Sequence, residues 1–515
     1  MRVLLVNPPV IRVSEPWFDE PDFVRTALAC LAGFLRKESG HEVHCIDAKF
    51  EKLTFEGLVN RAEELKPDLI GLTAFTNEIK PAAYVAGRLK KLFPNVPMVV
   101  GGPHVTAIPE QTLSEFPTFD IGVVGEGEQT LLELCNALAI KGSIKEVKGL
   151  IFRDGLKLVK TLPRPRILDQ TELPMPAWDM LPSSPTYYIQ TVRGCPLNCI
   201  FCMNHNGKVA RKRQVGQVID EMEYLIARGA KRISFGDELF SVDMERTEML
   251  MDAMIANRVG QRVLWDIQTH VGYVNERLFR KMKEANIYRC EMGVEAGDEQ
   301  SLKRMGTAIN LEMIQTAFDL SKKYDITTGS FLLIGQPNET YSTIWKTIKL
   351  GIRINPTEPI IGTMVPYPGT EVARMAANGE GGYRMIGADW DDYTKQTGSA
   401  LEFTYISKKK LEILQLFGYL AIFIGNWRIL ELSRFFWNYR IAAFNVVRNI
   451  LLGSAPKDTG RRPKDYDKVI NAQNRITTAD FIQARVSWKN TQSSELQRAK
   501  ELSPNLIKEQ IPIRV

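Results

Sequence analysis

Three cysteines fall in one short stretch, RGCPLNCIFCMNH (193–205), as Cys195, Cys199 and Cys202 with the spacing C-x3-C-x2-C. Thiolates are soft ligands that suit zinc or iron–sulfur clusters. A closed structural zinc site takes four ligands, usually as two pairs, and no second cysteine pair lies nearby. His205 is a conceivable fourth ligand, and a chance grouping of buried thiols is the bland alternative. A cubane cluster that only carries electrons also takes four protein ligands. Three thiolates leave one iron open, and an open metal site binds and activates a small molecule.

Such a loop needs a scaffold. The triplet follows a strand-like run, 186–194, and precedes a helical pattern at 215–229. Strands are expected next at 231–240, 262–272, 288–297, 326–337 and 359–369. Helices are expected between them at 243–258, 275–286, 311–325 and 340–355. Six βα repeats predict a partial (βα)6 barrel of parallel strands, whose reacting groups sit on loops at the C-terminal ends of the strands. The triplet, Gly236-Asp237-Glu238, GVEAG (293–297) and GQPNET (335–340) all fall at that end.

An earlier α/β unit spans residues 1–145. Apolar strands are expected at 2–8, 41–48, 67–75, 96–104 and 119–128. Helices alternate with them, the first over 23–40 with Gly40 as its cap. That order predicts a doubly wound parallel sheet covered on both faces. Ligands on such sheets bind beyond the carboxyl ends of the strands. Those ends carry Asn7, Thr73, GGPH (101–104) and GEGE (125–128). Gly101 and Gly102 either let a backbone approach a ligand or simply make a tight turn. No G-x-G-x-x-G follows the first strand, so NAD or FAD is not expected. Residues 146–185, dense in proline, read as a linker with two short strand-like pieces.

Composition bounds the rest. The chain has 515 residues, 44% hydrophobic and 24% charged, which predicts two or three globular domains. A net charge of +6 does not by itself argue for nucleic acid, and none is expected as a partner. No apolar run is long enough to span a bilayer, and the start is too short for a signal peptide. Cys30, Cys45, Cys135 and Cys290 are scattered singly, which suits a reducing compartment such as the cytoplasm. Residues 376–515 are expected to form a helical domain and a polar tail. Within it, 411–452 interleaves arginines with aromatics, which suits either a helical cap or peripheral membrane contact.

C-x3-C-x-Φ-C after the first strand of a partial barrel, with Phe201 as the aromatic, resembles the radical S-adenosylmethionine superfamily. The resemblance implies a [4Fe–4S] cluster on Cys195, Cys199 and Cys202, with S-adenosylmethionine on the open iron. FGDELFSVD (235–243) resembles the acidic second-strand segment, so Asp237 and Glu238 are implied to face the methionine amino group. GVEAG resembles the segment whose glutamate, here Glu295, meets the ribose. LIGQPNET (333–340) resembles G-[LF]-P-G-E-[TS], with Gln336 and Asn338 as departures, and VPYPGT (365–370) resembles T-P-[FY]-P-G-T. Gln268 and Gln336 complete the implied cofactor-facing set.

These segments are similar to the branch of radical enzymes with an N-terminal cobalamin (B12)-binding domain. Cobalamin would thread past Asn7, Thr73, Gly101, Gly102, Pro103, His104, Gly125, Glu126 and Glu128. The D-x-H-x-x-G motif that supplies a histidine to cobalt elsewhere is missing. The resemblance implies a methyltransferase acting on an unactivated carbon, through a 5′-deoxyadenosyl radical and methylcobalamin. Oxidative cyclisation or ring rearrangement is the alternative outcome, and a non-catalytic cobalamin or iron–sulfur sensor the alternative class. A small or lipid-like substrate and a flavodoxin or ferredoxin reductant are the implied partners.

Overall fold

The computed structural model describes residues 1–11, 21–155, 157–385, 389–395, 400–438, 440 and 462–471. Two units emerge: Met1–Ser184 with residues 462–471, and Pro185 onward through the described residues up to 440.

Val3 to Val6 of β1 (Arg2–Asn7) are all buried, as a strand covered on both faces requires. β1 lies between β2 (Glu42–Asp47) and β3 (Leu69–Thr73), parallel to both. β4 (Met98–Gly101) and β5 (Ile121–Val123) continue the parallel run. The five expected strands are therefore present, but the sheet does not stop there. β6 (Leu150–Asp154) and β7 (Lys157–Lys160) add an antiparallel hairpin, giving the order β2-β1-β3-β4-β5-β6-β7. The start of the proline-rich connector thus belongs to the sheet. Leu150, Ile151 and Phe152 are buried, and Gly155 at φ 62 turns the chain back.

Strand order reverses between β1 and β3, the place where ligands bind open α/β sheets. Past β4 the chain forms two short helices that strand periodicity did not reveal, Pro103–Ala107 and Pro109–Glu115, each opened by a proline. The first long helix runs Thr26–Glu38 and ends at an extended Ser39, not at a left-handed Gly40. A late helix, Tyr466–Asn471, rejoins this unit. Its Tyr466 ring lies 5.1 Å from that of Tyr84, whose hydroxyl donates to Asp465 at 2.6 Å.

The second unit holds six parallel strands in the order β15-β14-β13-β12-β11-β8. They are β8 (Thr186–Ile189), β11 (Arg232–Phe235), β12 (Leu264–His270), β13 (Arg289–Glu295), β14 (Thr328–Ile334) and β15 (Glu358–Thr363). The expected strand 186–194 is split. After β8 the chain bends into β9 (Val192–Arg193), which pairs antiparallel with β10 (Arg211–Lys212) and ties both ends of the cysteine loop.

Glycine contacts tell the two faces apart. A Cβ on Gly351 would lie 3.1 Å from Leu332 Cδ1, so Leu332 faces the helix Tyr341–Ile354. Its neighbours Phe331 and Leu333 therefore point to the inner face. Two short strands, β16 (Tyr383–Met385) and β17 (Leu401–Phe403), form a hairpin after the barrel. The helices Lys408–Gly425 and Ile429–Asn438 follow. Beyond 438 only residue 440 of the 411–452 stretch is described, so the rest of that stretch lies outside the described residues, as does most of the tail. Among the described residues, no helix is long and apolar enough to cross a membrane.

Candidate functional site

The cysteine loop is held by contacts within itself, from backbone and side chains alike. Cys195 N donates to Gly207 O at 3.0 Å, Asn204 Nδ2 to Cys195 O at 2.6 Å, and Cys202 N to Cys199 O at 3.1 Å. Lys208 Nζ donates to Leu197 O. Gly194 is at φ 94, and a Cβ there would stand 2.3 Å from Val209 O, so only glycine fits. Cys195 is buried, Cys199 intermediate and Cys202 exposed. Burial, with a smaller push from the neighbouring Cys202, raises the Cys195 thiol to about 11. Cys199 is raised by burial, by Glu295 and by both other cysteines.

The three thiols thus sense one another. Among the described residues, however, no three His, Cys, Asp or Glu side chains converge as one metal ion would require. Three soft donors on one loop suit an iron–sulfur cluster with an open corner.

The two acids at the end of β11 point different ways. Asp237 is 1% exposed and accepts from Thr191 N (2.6 Å), Thr191 Oγ1 (2.6 Å) and Val192 N (3.0 Å). Burial raises it to about 6 against those hydrogen bonds. It is spent on the bend between β8 and β9. Glu238 accepts from Gly194 N at 3.2 Å and from Asn206 Nδ2, so it grips both sides of the cysteine loop. Phe201 is partly buried within that loop.

Glu295 ends β13 at φ 63, beside a register shift between Gly293 and Glu295. Burial raises its carboxyl to about 7, while Lys395 pulls the other way. Gln336 is 1% exposed and donates through Nε2 to Leu333 O (2.7 Å) and Glu295 O (3.2 Å). Glu339, also buried, accepts from Gly335 N and from Gln336 N at 2.9 Å. Both departures from the family pattern have a physical reading. Gln336 uses its amide to hold the Glu295 backbone. Asn338 sits at φ 57, which asparagine tolerates nearly as glycine does.

Two residues that sequence reasoning missed come from the post-barrel segment. The buried Tyr383 donates its hydroxyl to Gly335 O at 3.0 Å, bracing the Gln336 loop. Lys395 O accepts from Thr363 N and Thr363 Oγ1, both at 3.0 Å. A Cβ on Gly362 would lie 3.7 Å from Leu333 Cδ1 and 3.9 Å from Lys395 Cβ, so Lys395 starts on the inner face. Its charge is felt by Glu295 and Cys202. No local motif marks either residue.

Gln268 lies lower on the inner face and donates to Glu291 Oε2 at 3.0 Å. Below it Arg289 pairs with Glu358 (2.6 Å), Glu291 (3.1 Å) and Asp266 (3.7 Å). The barrel floor is therefore ionic and closed by its own pairs.

The first unit is built differently. A Cβ at Gly101 or Gly125 would meet nothing within 4 Å, so open space adjoins both. Gly102, at φ 105, presses against Ala74 O, 2.7 Å from where a Cβ would stand. Gly125 N donates to Thr106 Oγ1 at 3.1 Å. Glycines beside open space at strand ends leave the backbone there accessible to close approach.

The expected polar residues are less available. His104 is fully buried, and burial lowers its imidazole to about 3. Asn7 Nδ2 donates to Asp47 at 2.6 Å, and its Oδ1 accepts from Arg25 at 3.1 Å. Glu126 accepts from Ile167 N at 3.1 Å, Glu128 is 5% exposed, and Thr73 and Pro103 are partly buried. Arg25 and Lys49 both pair with the buried Glu78, at 2.6 and 2.5 Å.

Residues 20–135 match the B12 binding domain family, and residues 189–351 match the Radical SAM superfamily. An uncharacterized methyltransferase from Pyrococcus horikoshii is 31% identical over 411 residues, covering 76% of this chain and 86% of that one. The chain belongs to the cobalamin-binding radical S-adenosylmethionine enzyme family. As a radical enzyme of that family it is not a passive sensor. The anaerobic magnesium-protoporphyrin IX monomethyl ester cyclase of Cereibacter sphaeroides is 29% identical over 394 residues, covering 72% of this chain and 63% of that one. A solved structure of the radical S-adenosylmethionine methyltransferase TsrM from Kitasatospora setae, with cobalamin and a [4Fe–4S] cluster bound, superposes with a TM-score of 0.65. It shares 18% identity and covers 82% of this chain and 88% of that one, which speaks to the fold of this family member alone.

Proposed function

We propose that this enzyme is a C-methyltransferase acting on an unactivated carbon of a small molecule. The observation that carries the reading is a three-thiol loop, on a chain that also bears a B12 binding domain and matches a methyltransferase-named relative along 76% of its length. When bound, a [4Fe–4S] cluster with S-adenosylmethionine supplies hydrogen abstraction, and cobalamin supplies the methyl group.

The chain's own residues bind and orient. Cys195, Cys199 and Cys202 hold the cluster. Glu238 keeps Gly194 and Asn206 in place, so the three thiolates keep their spacing. Asp237 acts one step back, through Thr191 and Val192. Glu295 receives the ribose hydroxyls while Gln336 holds its carbonyl. Gly101 and Gly125, with open space beside them, would let a bound cobalamin approach the backbone closely. This is catalysis by positioning, with the difficult chemistry left to the cofactors. A flavodoxin or ferredoxin supplies the electron.

Oxidative cyclisation is the second reading, favoured by the 29% identity to the magnesium-protoporphyrin cyclase. The test is anaerobic reconstitution with iron, sulfide and hydroxocobalamin, then dithionite and S-adenosylmethionine. 5′-Deoxyadenosine together with S-adenosylhomocysteine supports methyl transfer. Deoxyadenosine alone, with a turned-over substrate, moves the reading to cyclisation. Neither product, with both cofactors bound, defeats both.

A further inference from the structure

The helix Lys408–Gly425 is apolar almost all the way round. One side buries Leu411, Gly418, Tyr419, Ile422 and Phe423 against the barrel. The packing is close: a Cβ on Gly351 would stand 2.6 Å from Ile422 Cδ1, and one on Gly418 2.7 Å from Ile361 Cδ1. An ordinary surface helix would turn polar residues outward on its other side. This one presents Ile413, Phe417 and Ile424, which are 42%, 46% and 51% exposed.

The neighbouring helix Tyr341–Ile354 aligns with it. Tyr341 and Trp345, one turn apart, are 48% and 40% exposed, and the Trp345 ring lies 5.9 Å from that of Phe417. The patch continues through Trp427 and Leu430, which are 90% and 77% exposed. Large apolar groups gathered on one face mark a contact surface.

Charge says what kind. The segments 341–354 and 408–437 hold eight Lys and Arg and only two acids, Glu412 and Glu431. Glu412 is buried and Glu431 pairs with Arg428, so no acid of these helices opposes an anion at this face. Lys349 Nζ lies 5.5 Å from the Trp345 ring centroid. Tryptophan beside lysine, with aliphatic side chains between, matches the boundary between headgroup and acyl chain. A protein partner of equal apolarity would not require this one-signed rim, whereas the cytoplasmic leaflet is anionic.

We propose that the outer face of these two helices, together with Trp427 just beyond Lys408–Gly425, docks on an anionic lipid bilayer, inserting Trp345, Phe417 and Trp427 at the interface with lysines on the headgroups. The contact is independent of the chemistry proposed above.

The test is co-sedimentation of the full chain with large unilamellar vesicles. One set is phosphatidylcholine with phosphatidylglycerol and the other is phosphatidylcholine alone. The expected result is binding to the anionic vesicles, weakened by salt, with a blue shift in tryptophan fluorescence. Phe417→Glu should weaken binding at least about ten-fold with far-ultraviolet circular dichroism unchanged. Trp427→Ser, at a position 90% exposed, gives the same answer without threatening the fold. No binding to anionic vesicles overturns the proposal, as does binding by both variants as tight as that of the unaltered chain. Self-association that Phe417→Glu abolishes, without vesicle binding, overturns it in favour of a second copy.

Discussion

Both units rest on sheets whose parallel strands put their carboxyl edge at the business end, yet they furnish that edge in opposite ways. In the first sheet the polar side chains are tied to one another. Asn7, Asp47, Arg25, Lys49 and Glu78 satisfy each other, and the open positions are glycines. In the second sheet the edge is made of side chains: three thiols, Glu295, Gln336 and, from outside the barrel, Lys395. A large rigid ligand is best met by backbone, which gives close approach. A cluster and a small reactive molecule need directed ligands. The contrast is between a cradle and a set of tools.

The contrast breaks most sharply at its extremes. Cys199→Ala should abolish iron loading and deoxyadenosine formation, read by iron analysis and chromatography, with cobalamin binding unchanged. Gly101→Leu should do the reverse. Nothing lies within 4 Å of the new Cβ, so the melting temperature should hold while cobalamin affinity, read by dialysis, drops at least about ten-fold. Loss of thermal stability instead would mean that Gly101 is only a turn.

Acid should separate the two sheets next. Burial alone would raise Glu78, but Arg25 and Lys49 outweigh it and bring it from 4.5 to about 2. A depressed carboxyl stabilises the fold above its unfolded pKa and loses that contribution as pH falls. The first unit should therefore lose about 3 kcal/mol between pH 4.5 and 2, and Glu78→Gln should flatten that dependence. Denaturant melts across the range would show it.

Smaller effects test the bracing of the second edge. Gln336→Leu, which restores the apolar residue of the family pattern, removes two donated hydrogen bonds. It should weaken S-adenosylmethionine binding several-fold, with cluster absorbance intact. Tyr383→Phe removes the single bond to Gly335 O and should cost about 1 kcal/mol of stability, with a still smaller change in affinity. An unchanged affinity in both would reduce the post-barrel hairpin to a simple cap.

Much of this is legible without coordinates, because it is local. Cysteine spacing, glycine-rich strand ends and apolar runs of strand length are written in adjacent residues, and they determine the two-sheet architecture and the ligand loop. What adjacency cannot carry is the direction of a side chain. Asp237 and Glu238 are neighbours and read as one motif, but the loop after β11 sends the first into the bend before β9 and the second onto the cysteine loop. His104 reads as one of the strand-end residues that cobalamin would pass, yet the short helix opened by Pro103 turns it inward, where it is fully buried. The two short strand-like pieces of the proline-rich connector were legible, but that they pair as a hairpin and extend the first sheet rests on long-range pairing with β5.

Tyr383 and Lys395 show the limit most plainly. Neither has a motif, and each gains its meaning from a carbonyl or a glycine 30 or more residues away. The sequence by itself determined the donor set, the sheet class and the family, since short-range chemistry and periodicity specify them. Only the tertiary structure decided which acids face the cofactor loop, which brace it, and which helix face stays uncovered. Those depend on long-range packing, and packing brings together residues that the chain keeps far apart.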